Sequence, residues 1–166
     1  MPENDLRFAI AEILERDGRT TQDELARMLD CDPAEVARLV REMEEAGVIV
    51  RYSAKINWEK LGTGRKVFAT IGVQVTPERE VGFDGVAERI MHFPEVHSLY
   101  LMSGQQDLNV VIEGADMRDI AYFVAQRLAV IPGVRGTVTQ FVLRTYKRDG
   151  DVLVDSDDNQ RLAVTP

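Results

Sequence analysis

Two similar junctions give the second half of the chain an internal repeat. Each places an apolar residue before proline, a variable residue and valine, as Phe93-Pro94-Glu95-Val96 and Ile131-Pro132-Gly133-Val134. Each follows a segment with apolar residues at helical spacing, at 81–93 and at about 116–130. Four segments rich in β-branched or apolar residues are predicted strands, at 66–75, 96–102, 108–113 and 137–146. The resulting β-α-β-β-α-β order predicts a ferredoxin-like antiparallel sheet with both helices on one face.

Three helical segments precede this repeat. The first has apolar residues at spacings of three and four and stops near Gly18. The second begins with the capping-box pair Thr21 and Glu24, and the third begins with a capping carboxylate and a proline, Asp32-Pro33. The β-branched stretch "VIVRYSAKI" follows and predicts a wing strand over 48–56. This order is typical of a DNA-binding winged helix-turn-helix.

The fold class is therefore predicted as α+β, with a winged helix-turn-helix followed by a ferredoxin-like βαββαβ domain. The predicted divisions are a DNA-binding domain at 1–52, a linker at 53–65, the ferredoxin-like domain at 66–148, to which the family resemblance described below assigns ligand binding and oligomerisation, and an acidic tail at 149–166. The tail holds five acids and one arginine, which predicts a largely solvated extension, although "DVLV" can add a short edge strand.

Charge limits the kind of DNA binding expected. The formal net charge is −8, and no segment is a basic block, so tight non-specific binding through phosphate neutralisation by one chain is not expected. The chain has a single cysteine and no apolar run that approaches the roughly 20 residues needed to span a bilayer. These features predict a cytoplasmic protein with no membrane contact. DNA binding must then depend on a few placed residues, multiplied by oligomerisation.

The third helix carries the candidate DNA contacts. Its acids fall in the first turn, where they cap free amides, or near the far end, away from the part of a recognition helix that meets base edges. The predicted DNA-binding residues are Thr21, Ala34, Arg38, Arg41 and Arg51. Simple solvation of each arginine is the alternative.

The second face of the predicted sheet needs a cover. Its strands carry apolar residues at both parities, such as Leu99, Tyr100, Leu101 and Met102. A sheet with one covered face would leave a sizeable apolar patch in water. A homo-oligomer that stacks sheet on sheet is therefore predicted.

Taken together, these features resemble the Lrp/AsnC family, the feast/famine transcriptional regulators. The resemblance covers about residues 4–148 and is carried by "TQDELARMLDCDPAEVARLVREMEEAGVI", by "VRYSAKINWEKLG" and by the "PEV…MSGQQD…PGVRGTVTQFVL" pattern. It implies a winged helix that binds double-stranded DNA, an effector domain that dimerises through its sheet, and dimers that assemble into tetramers, octamers or larger discs. Several half-sites engaged together raise affinity without a basic monomer.

The turn between the central strands is the candidate effector site. It resembles the Gly-x-x-Asp effector loop of that family and consists of Ser103, Gly104, Gln105, Gln106 and Asp107. Freed backbone amides can hold a carboxylate and Asp107 can pair with an ammonium group, which suits an amino-acid-like effector. Thr137 and Thr139 would complete the pocket in the family arrangement. An ordinary hairpin turn remains the alternative, since Gly and Asp are common in turns.

Two other functions stay open at this point. Sirohaem decarboxylases look similar to Lrp/AsnC proteins and share both domains, and His97 on a predicted strand keeps that enzyme possible. A metabolite-binding protein that has lost DNA binding is the third interpretation. No catalytic residue, cofactor or metal site is predicted, because His92 and His97 have no cysteine partner at ligand spacing and the chain has no P-loop or nucleophile triad.

Overall fold

The computed structural model describes residues 2–61, 66–77 and 81–154. The chain divides into two compact units, Met1–Ile56 and Asn57–Pro166. Each unit has its own hydrophobic core, built only from residues of that unit. The predicted linker at 53–65 includes this division.

The N-terminal unit is a three-helix unit whose helix starts follow from capping. Its helices are α1 (Glu3–Arg16), α2 (Gln22–Leu29) and α3 (Pro33–Glu45). The Thr21 hydroxyl accepts a hydrogen bond from the Glu24 amide, and the Glu24 carboxylate accepts one from the Thr21 amide. The Asp32 carboxylate accepts from the Ala34 amide at 2.8 Å. Both predicted helix starts are confirmed, because these side chains satisfy amides that the first turn leaves free.

The core of this unit is entirely apolar. Helices α1 and α3 each contribute a stripe at spacings of three and four residues, and α2 contributes the neighbours Leu25 and Ala26 with partly buried Leu29 beside them. The buried residues are Leu6, Ile10, Leu25, Ala26, Val36, Leu39, Val40 and Met43.

The predicted wing strand is wrong for the single chain. Residues 50–57 have no regular secondary structure, and no β-ladder involves the described residues up to Leu61. A strand forms only where a neighbour takes its backbone hydrogen bonds, and no described residue pairs with this segment in a ladder. Tyr52 anchors the segment instead, since its hydroxyl donates to Glu44 Oε1 at 2.9 Å. Arg51 therefore lies on a segment without regular secondary structure that follows α3.

The C-terminal unit has the predicted βαββαβ order. After a short helix, α4 (Trp58–Leu61), its main elements follow in chain order. They are β1 (Val67–Val75), α5 (Asp84–Met91), β2 (Val96–Leu101), β3 (Leu108–Gly114), α6 (Met117–Phe123) and β4 (Val134–Phe141). The four strands form one antiparallel sheet in the order β2-β3-β1-β4. The predicted ferredoxin-like fold class is confirmed.

The last strand differs from its predicted bounds of 137–146. It begins at Val134 and ends at Phe141, which pairs with Ala69. The Val142 amide still donates to the Phe68 carbonyl, but β1 begins one residue earlier, at Val67. Residues after Val142 therefore lie beyond the start of β1 and have no β1 residue to pair with, so β4 ends there.

The two faces of the sheet have different surroundings. Alternate residues of β1 and β3 are buried against α5 and α6, where they form the core with Val86, Ile90, Ile120 and Phe123. The residues between them are exposed or half-buried in the single chain. We call this second side the uncovered face; it carries Thr70, Gly72, Tyr100, Asn109, Val111 and Val138.

A small hairpin follows the sheet and crosses the predicted boundary at 148/149. It consists of β5 (Lys147–Arg148) and β6 (Asp151–Val152), which pair with each other and not with the main sheet. The Arg148 guanidinium lies 4.5 Å from the centre of the Phe68 ring. The Leu153 carbonyl accepts a hydrogen bond from the Asn57 side chain at 2.8 Å. The tail prediction for 155–166 lies outside the described residues.

Helix α6 continues into one turn of π-helix, Val124–Leu128. The Ala129 amide donates to the Val124 carbonyl at 2.8 Å, five residues back. Within this turn Arg127 forms an ion pair with Glu95 and stacks 4.5 Å from the centre of the Phe93 ring. The π-helical turn thus directs Arg127 onto the junction between α5 and β2.

Candidate functional site

The outer face of α3 is the first candidate site. The helix buries Val36, Leu39, Val40 and Met43, so the positions on the opposite side face solvent. Ala34, Arg38 and Arg41 are all exposed there, as predicted from their spacing. Ala34 lies in the first turn and its amide is used by the Asp32 cap.

Arg38 is held by carboxylates of its own chain. Its Nη1 donates to Glu42 Oε1 at 2.7 Å, one helical turn away, and its Nη2 lies 3.4 Å from Glu3 Oε2 on α1. The hydrogen bond to Glu42 is the main cause of a raised pKa for the Arg38 guanidinium. The same bond lowers the pKa of Glu42. Arg38 is thus oriented along the helix surface.

Arg41 and Arg51 differ from Arg38 in their surroundings. Both are exposed, and within the described residues neither side chain has an ion pair or hydrogen bond. Thr21 is also exposed, but its hydroxyl is engaged with Glu24, donating to Oε2 at 2.8 Å. These two arginines are therefore the predicted contacts that present free cationic groups to solvent.

The candidate effector turn, Ser103–Asp107, is hydrogen-bonded to the end of β1. The Met102 amide donates to the Asp107 carbonyl at 2.8 Å, which closes the turn. The Asp107 amide donates to the Val73 carbonyl at 3.0 Å, and Asp107 Oδ2 accepts from the Val75 amide at 2.7 Å. Ser103, Gly104 and Gln105 are exposed. The turn is thus fixed at its Asp107 end and open at its tip.

A cation also approaches the Asp107 carboxylate. Arg135 Nη2 lies 3.9 Å from Asp107 Oδ2 and donates to the Val75 carbonyl at 3.3 Å. Arg135 occupies the position where the β1–β4 register shifts, between Gln74 and Val75 on the neighbouring strand. This contact was not predictable from the sequence, because it depends on a β-bulge, and the alternation of apolar and polar residues does not show where a bulge occurs.

Gln106 lies against the sheet rather than in the open turn. Its side chain fills the space over Gly72, where an added Cβ would come within 2.8 Å of Gln106 Cγ. Gln106 Oε1 and Asn109 Oδ1 are both buried without a hydrogen-bond partner. A glycine inside a strand often marks such a close approach, so Gly72 was the available signal for this contact.

Thr137 and Thr139 lie on the other side of the sheet from Gly72. They pair with Val73 and Ile71, whose side chains belong to the helix-covered core, and both threonines are half-buried. Residues paired across strands share a face. In one chain the two threonines therefore do not meet the Gln106 side chain.

The histidines and other possible ligands do not form a metal cluster in the described residues. His92 Nδ1 lies 2.6 Å from the Glu88 carbonyl, and the His97 ring packs edge-on against Phe68. No group of three or more His, Cys, Asp or Glu side chains able to hold a metal occurs in residues 2–61, 66–77 and 81–154. In the same residues, every helix is too short or too polar to cross a membrane.

Known proteins share both halves of this architecture. A winged helix-turn-helix DNA-binding model matches residues 3–50, and the model of the Lrp/AsnC ligand binding domain matches residues 68–152. The HTH-type transcriptional regulator YugG of Bacillus subtilis is 45% identical over 157 residues, covering 95% of both chains. Together with the two units, these matches define the class: a transcriptional regulator with a helix-turn-helix and a separate ligand-binding domain.

Solved structures agree with this class. The leucine response regulatory protein LrpA of Mycobacterium tuberculosis superposes with a TM-score of 0.72 at 28% identity, covering 90% of this chain and 99% of that one. A transcriptional regulator of Neisseria meningitidis, solved as a complex with L-Met, gives a TM-score of 0.68 at 26% identity, covering 86% and 91%. The chain belongs to the Lrp/AsnC family of transcriptional regulators, as its sequence motifs indicated.

Proposed function

We propose that this regulator contacts double-stranded DNA through the outer face of α3 and the irregular segment after it, which carries Arg51. The observation that carries this proposal is the pair of exposed arginines, Arg41 and Arg51, which have no acidic partner in the described residues. Cations of this kind bind phosphates or base edges. Ala34 and Arg38 extend the same helix face, and Thr21 at the start of α2 is proposed as a backbone contact.

Replacing Arg41 tests this interface. Arg41→Ala should weaken binding to a duplex taken from upstream of the protein's own gene by roughly 1 to 3 kcal/mol if Arg41 reads a base edge. If Arg41 binds a phosphate, the loss of affinity should be similar for all DNA sequences. The slope of log affinity against log salt concentration, the salt slope, should then fall in magnitude by about one. Fluorescence anisotropy at several KCl concentrations measures both. Arg118→Ala, an exposed arginine on the C-terminal unit, is the control; equal effects of the two changes would contradict the assignment.

We further propose that a small amino-acid-like effector binds at the Ser103–Asp107 turn. The L-Met complex of the Neisseria meningitidis relative supports this ligand class. The exposed tip of the turn offers backbone amides for a carboxylate, and Asp107 offers a carboxylate for an ammonium group. Thr137 and Thr139 face the other side of the sheet, so their proposed part in the pocket requires another copy of the chain.

A homo-oligomer is proposed as the functional assembly. The uncovered face carries exposed Tyr100 and Val138, at 53% and 51%, beside half-buried Val111. A dimer that stacks two such faces would remove this apolar surface from water, and tetramers or octamers would build on the dimer. An effector placed between copies changes the assembly only through a difference in its affinity for the two states.

The effector test uses two variants of Asp107. Asp107→Asn keeps an oxygen for the Val75 amide but loses the charge that an ammonium group needs, whereas Asp107→Ala loses both. A thermal-shift screen against the twenty amino acids identifies the ligand first, since saturation at about 100 times its dissociation constant stabilises by about 2.7 kcal/mol. Asp107→Asn should then weaken ligand binding by at least about tenfold without lowering the melting temperature. Wild-type affinity in both variants would exclude Asp107 as the ammonium partner.

The proposed role is regulatory rather than catalytic, in the cytoplasm, with no cofactor. Purification separates it from the remaining alternatives. A colourless protein that retards its own promoter DNA is the expected result. A tetrapyrrole-coloured protein would favour the decarboxylase, and a colourless protein that binds an amino acid but no DNA would favour the metabolite-binding interpretation.

A further inference from the structure

Arg38 belongs to a closed network of two arginines and two glutamates between α1 and α3. Arg7 Nη2 lies 2.5 Å from Glu42 Oε2 and 3.3 Å from Glu3 Oε1. Arg38 makes the matching contacts, at 2.7 Å to Glu42 and 3.4 Å to Glu3. Each arginine therefore touches both carboxylates. We call these four residues the Arg38 network.

The network cancels the charge that Arg38 would add to the outer face of α3. Its two positive and two negative groups sum to zero, because each arginine is matched by a glutamate. Arg41 is then the cation on that face without an acidic partner in the described residues. Glu45 is exposed on the same helix and also has no partner there. The helix face is thus less cationic than its arginines suggest.

The contacts of Arg38 are strong enough to orient it but weak enough to exchange. The Arg38 and Glu42 side chains are 46% and 37% exposed. Ion pairs exposed to this degree are weak, because water and salt screen them. A DNA phosphate can therefore compete for the guanidinium. If Arg38 leaves, Arg7 still contacts both Glu42 and Glu3, so each carboxylate keeps one ion pair, although the remaining three groups then carry one net negative charge.

We propose that Glu42, assisted by Glu3, withholds Arg38 from DNA and sets the DNA affinity of α3 below what its arginines can supply. This inference rests on the proposed DNA contact through α3. In the resting chain Arg38 is a ligand of carboxylates, and it contacts a phosphate only by exchanging them. The raised pKa of Arg38 and the lowered pKa of Glu42 have the same physical origin, their mutual hydrogen bond.

Two isosteric changes on one helix test the proposal. Glu42→Gln weakens the grip on Arg38 and removes one negative charge, whereas Glu45→Gln removes one negative charge without touching an arginine. Glu42→Gln should tighten binding to the promoter duplex by about threefold to fivefold, the equivalent of one or two exposed ion pairs. Its salt slope should steepen by about 0.9 for each phosphate newly contacted. Glu45→Gln should give less than half of that gain and no change of slope.

A double-mutant cycle assigns the gain to Arg38. Arg38→Ala alone should weaken binding by a smaller factor than the same change does in the Glu42→Gln background, because the resting network already holds the side chain. In the Glu42→Gln background, Arg38→Ala should abolish the gain. Equal gains for Glu42→Gln and Glu45→Gln would overturn the proposal in favour of general charge repulsion. A gain that survives Arg38→Ala would overturn it as well.

Separate variants control for a loss of folding and for a wrong choice of DNA interface. If Glu42→Gln lowers the melting temperature, Glu3→Gln carries the test from the other side of the network and should give a smaller gain of the same sign. No gain in either folded variant overturns the proposal. Arg41→Ala reports independently on the DNA contact through α3. If Arg41→Ala leaves DNA affinity unchanged, the proposed α3 interface is wrong. If Arg41→Ala lowers DNA affinity but Glu42→Gln does not raise it, only the withholding of Arg38 is rejected.

Discussion

The two units of this chain complete their cores to different extents. Every apolar stripe of α1, α2 and α3 is buried within the N-terminal unit. The C-terminal sheet buries one face under α5 and α6 and leaves Tyr100 and Val138 half exposed on the other. A helix needs one apolar stripe covered, whereas a strand with apolar residues at both parities needs cover on two sides. The N-terminal core is therefore enclosed by its own three helices, although Phe8 and Val50 remain 74% and 85% exposed at its surface, and the second side of the C-terminal sheet is where a partner is proposed to pack.

Polar groups show a similar but less complete contrast. Within the described residues, four buried side-chain atoms lack a hydrogen-bond partner: Arg7 Nε, Glu95 Oε2, Gln106 Oε1 and Asn109 Oδ1. Gln106 and Asn109 lie together on the side of Gly72, the uncovered face, whereas Arg7 and Glu95 are ion-paired through their other atoms. A buried acceptor without a donor costs roughly 1 to 3 kcal/mol. The two unsatisfied acceptors beside Gly72 support the proposal that a second copy packs on this face.

The largest expected effect comes from a charge on the uncovered face. Val138→Asp costs little in a single chain, because the side chain is 51% exposed. In a stacked dimer it would bury an unpaired carboxylate, at about 3 to 5 kcal/mol. Sedimentation equilibrium should show the dimer dissociation constant rise by about 150-fold or more. Val130→Asp, at a valine that is 66% exposed after the π-helical turn, is the control and should leave the dimer intact. A dimer unaffected by Val138→Asp would place the interface elsewhere.

Core truncations compare the independence of the two units. Ile71 and Leu39 are both fully buried, one in each core. Changing either to Ala should lower the free energy of unfolding of its own unit by about 2 to 5 kcal/mol through lost burial and a cavity. The single tryptophan, Trp58, lies in the C-terminal unit and reports on it by fluorescence during urea unfolding. Ile71→Ala should shift that transition and Leu39→Ala should not; a shift with Leu39→Ala would show that the two units unfold together.

The smallest expected effect is an acid-dependent loss in the N-terminal unit. Hydrogen bonds from the Thr21 amide and hydroxyl lower the pKa of the Glu24 carboxyl below its ordinary value of 4.5. A lowered folded-state pKa means that this contribution to stability is present above pH 4.5 and is lost as the pH falls through the lowered value. Thermal melts followed by helical circular dichroism should therefore lose stability over that range. Glu24→Gln should flatten this part of the profile, and an unchanged profile would show that the capping box contributes no measurable pH dependence.

Local signals in the sequence were sufficient for most of the fold. Thr21, Glu24 and Asp32 specify helix starts through contacts within three residues, and the repeated Pro-x-Val junctions locate β2 and β4. The wing strand was not predictable, because "VIVRYSAKI" has strand composition but no neighbour in the described chain. The composition of one segment can favour a strand, but a strand forms only when a second segment pairs with it through backbone hydrogen bonds.

The sequence indicated where the candidate site residues lie on their helices and turns, but not which side chains surround them. The spacing of Ala34, Arg38 and Arg41 correctly placed them on the outer face of α3. Only one of the two carboxylate contacts of Arg38 was predictable from the sequence. Glu42 lies one helical turn from Arg38, whereas Glu3 is 35 residues away and its contact depends on how α1 packs on α3. The faces of Thr137 and Thr139 depend on their register against β1, which alternation within one strand does not determine.

The π-helical turn at Val124–Leu128 has a consequence for how relatives align with this chain. An α-helical turn closes its hydrogen bond over four residues, and this turn closes over five, so it contains one residue more than the surrounding helix requires. In an alignment it corresponds to a single-residue insertion. Deleting Ala125 would restore regular α-helix and turn every later side chain of the helix by about 100°. Arg127 would then swing away from Glu95 and Phe93, so relatives that align with a gap here should also lack the arginine–glutamate pair.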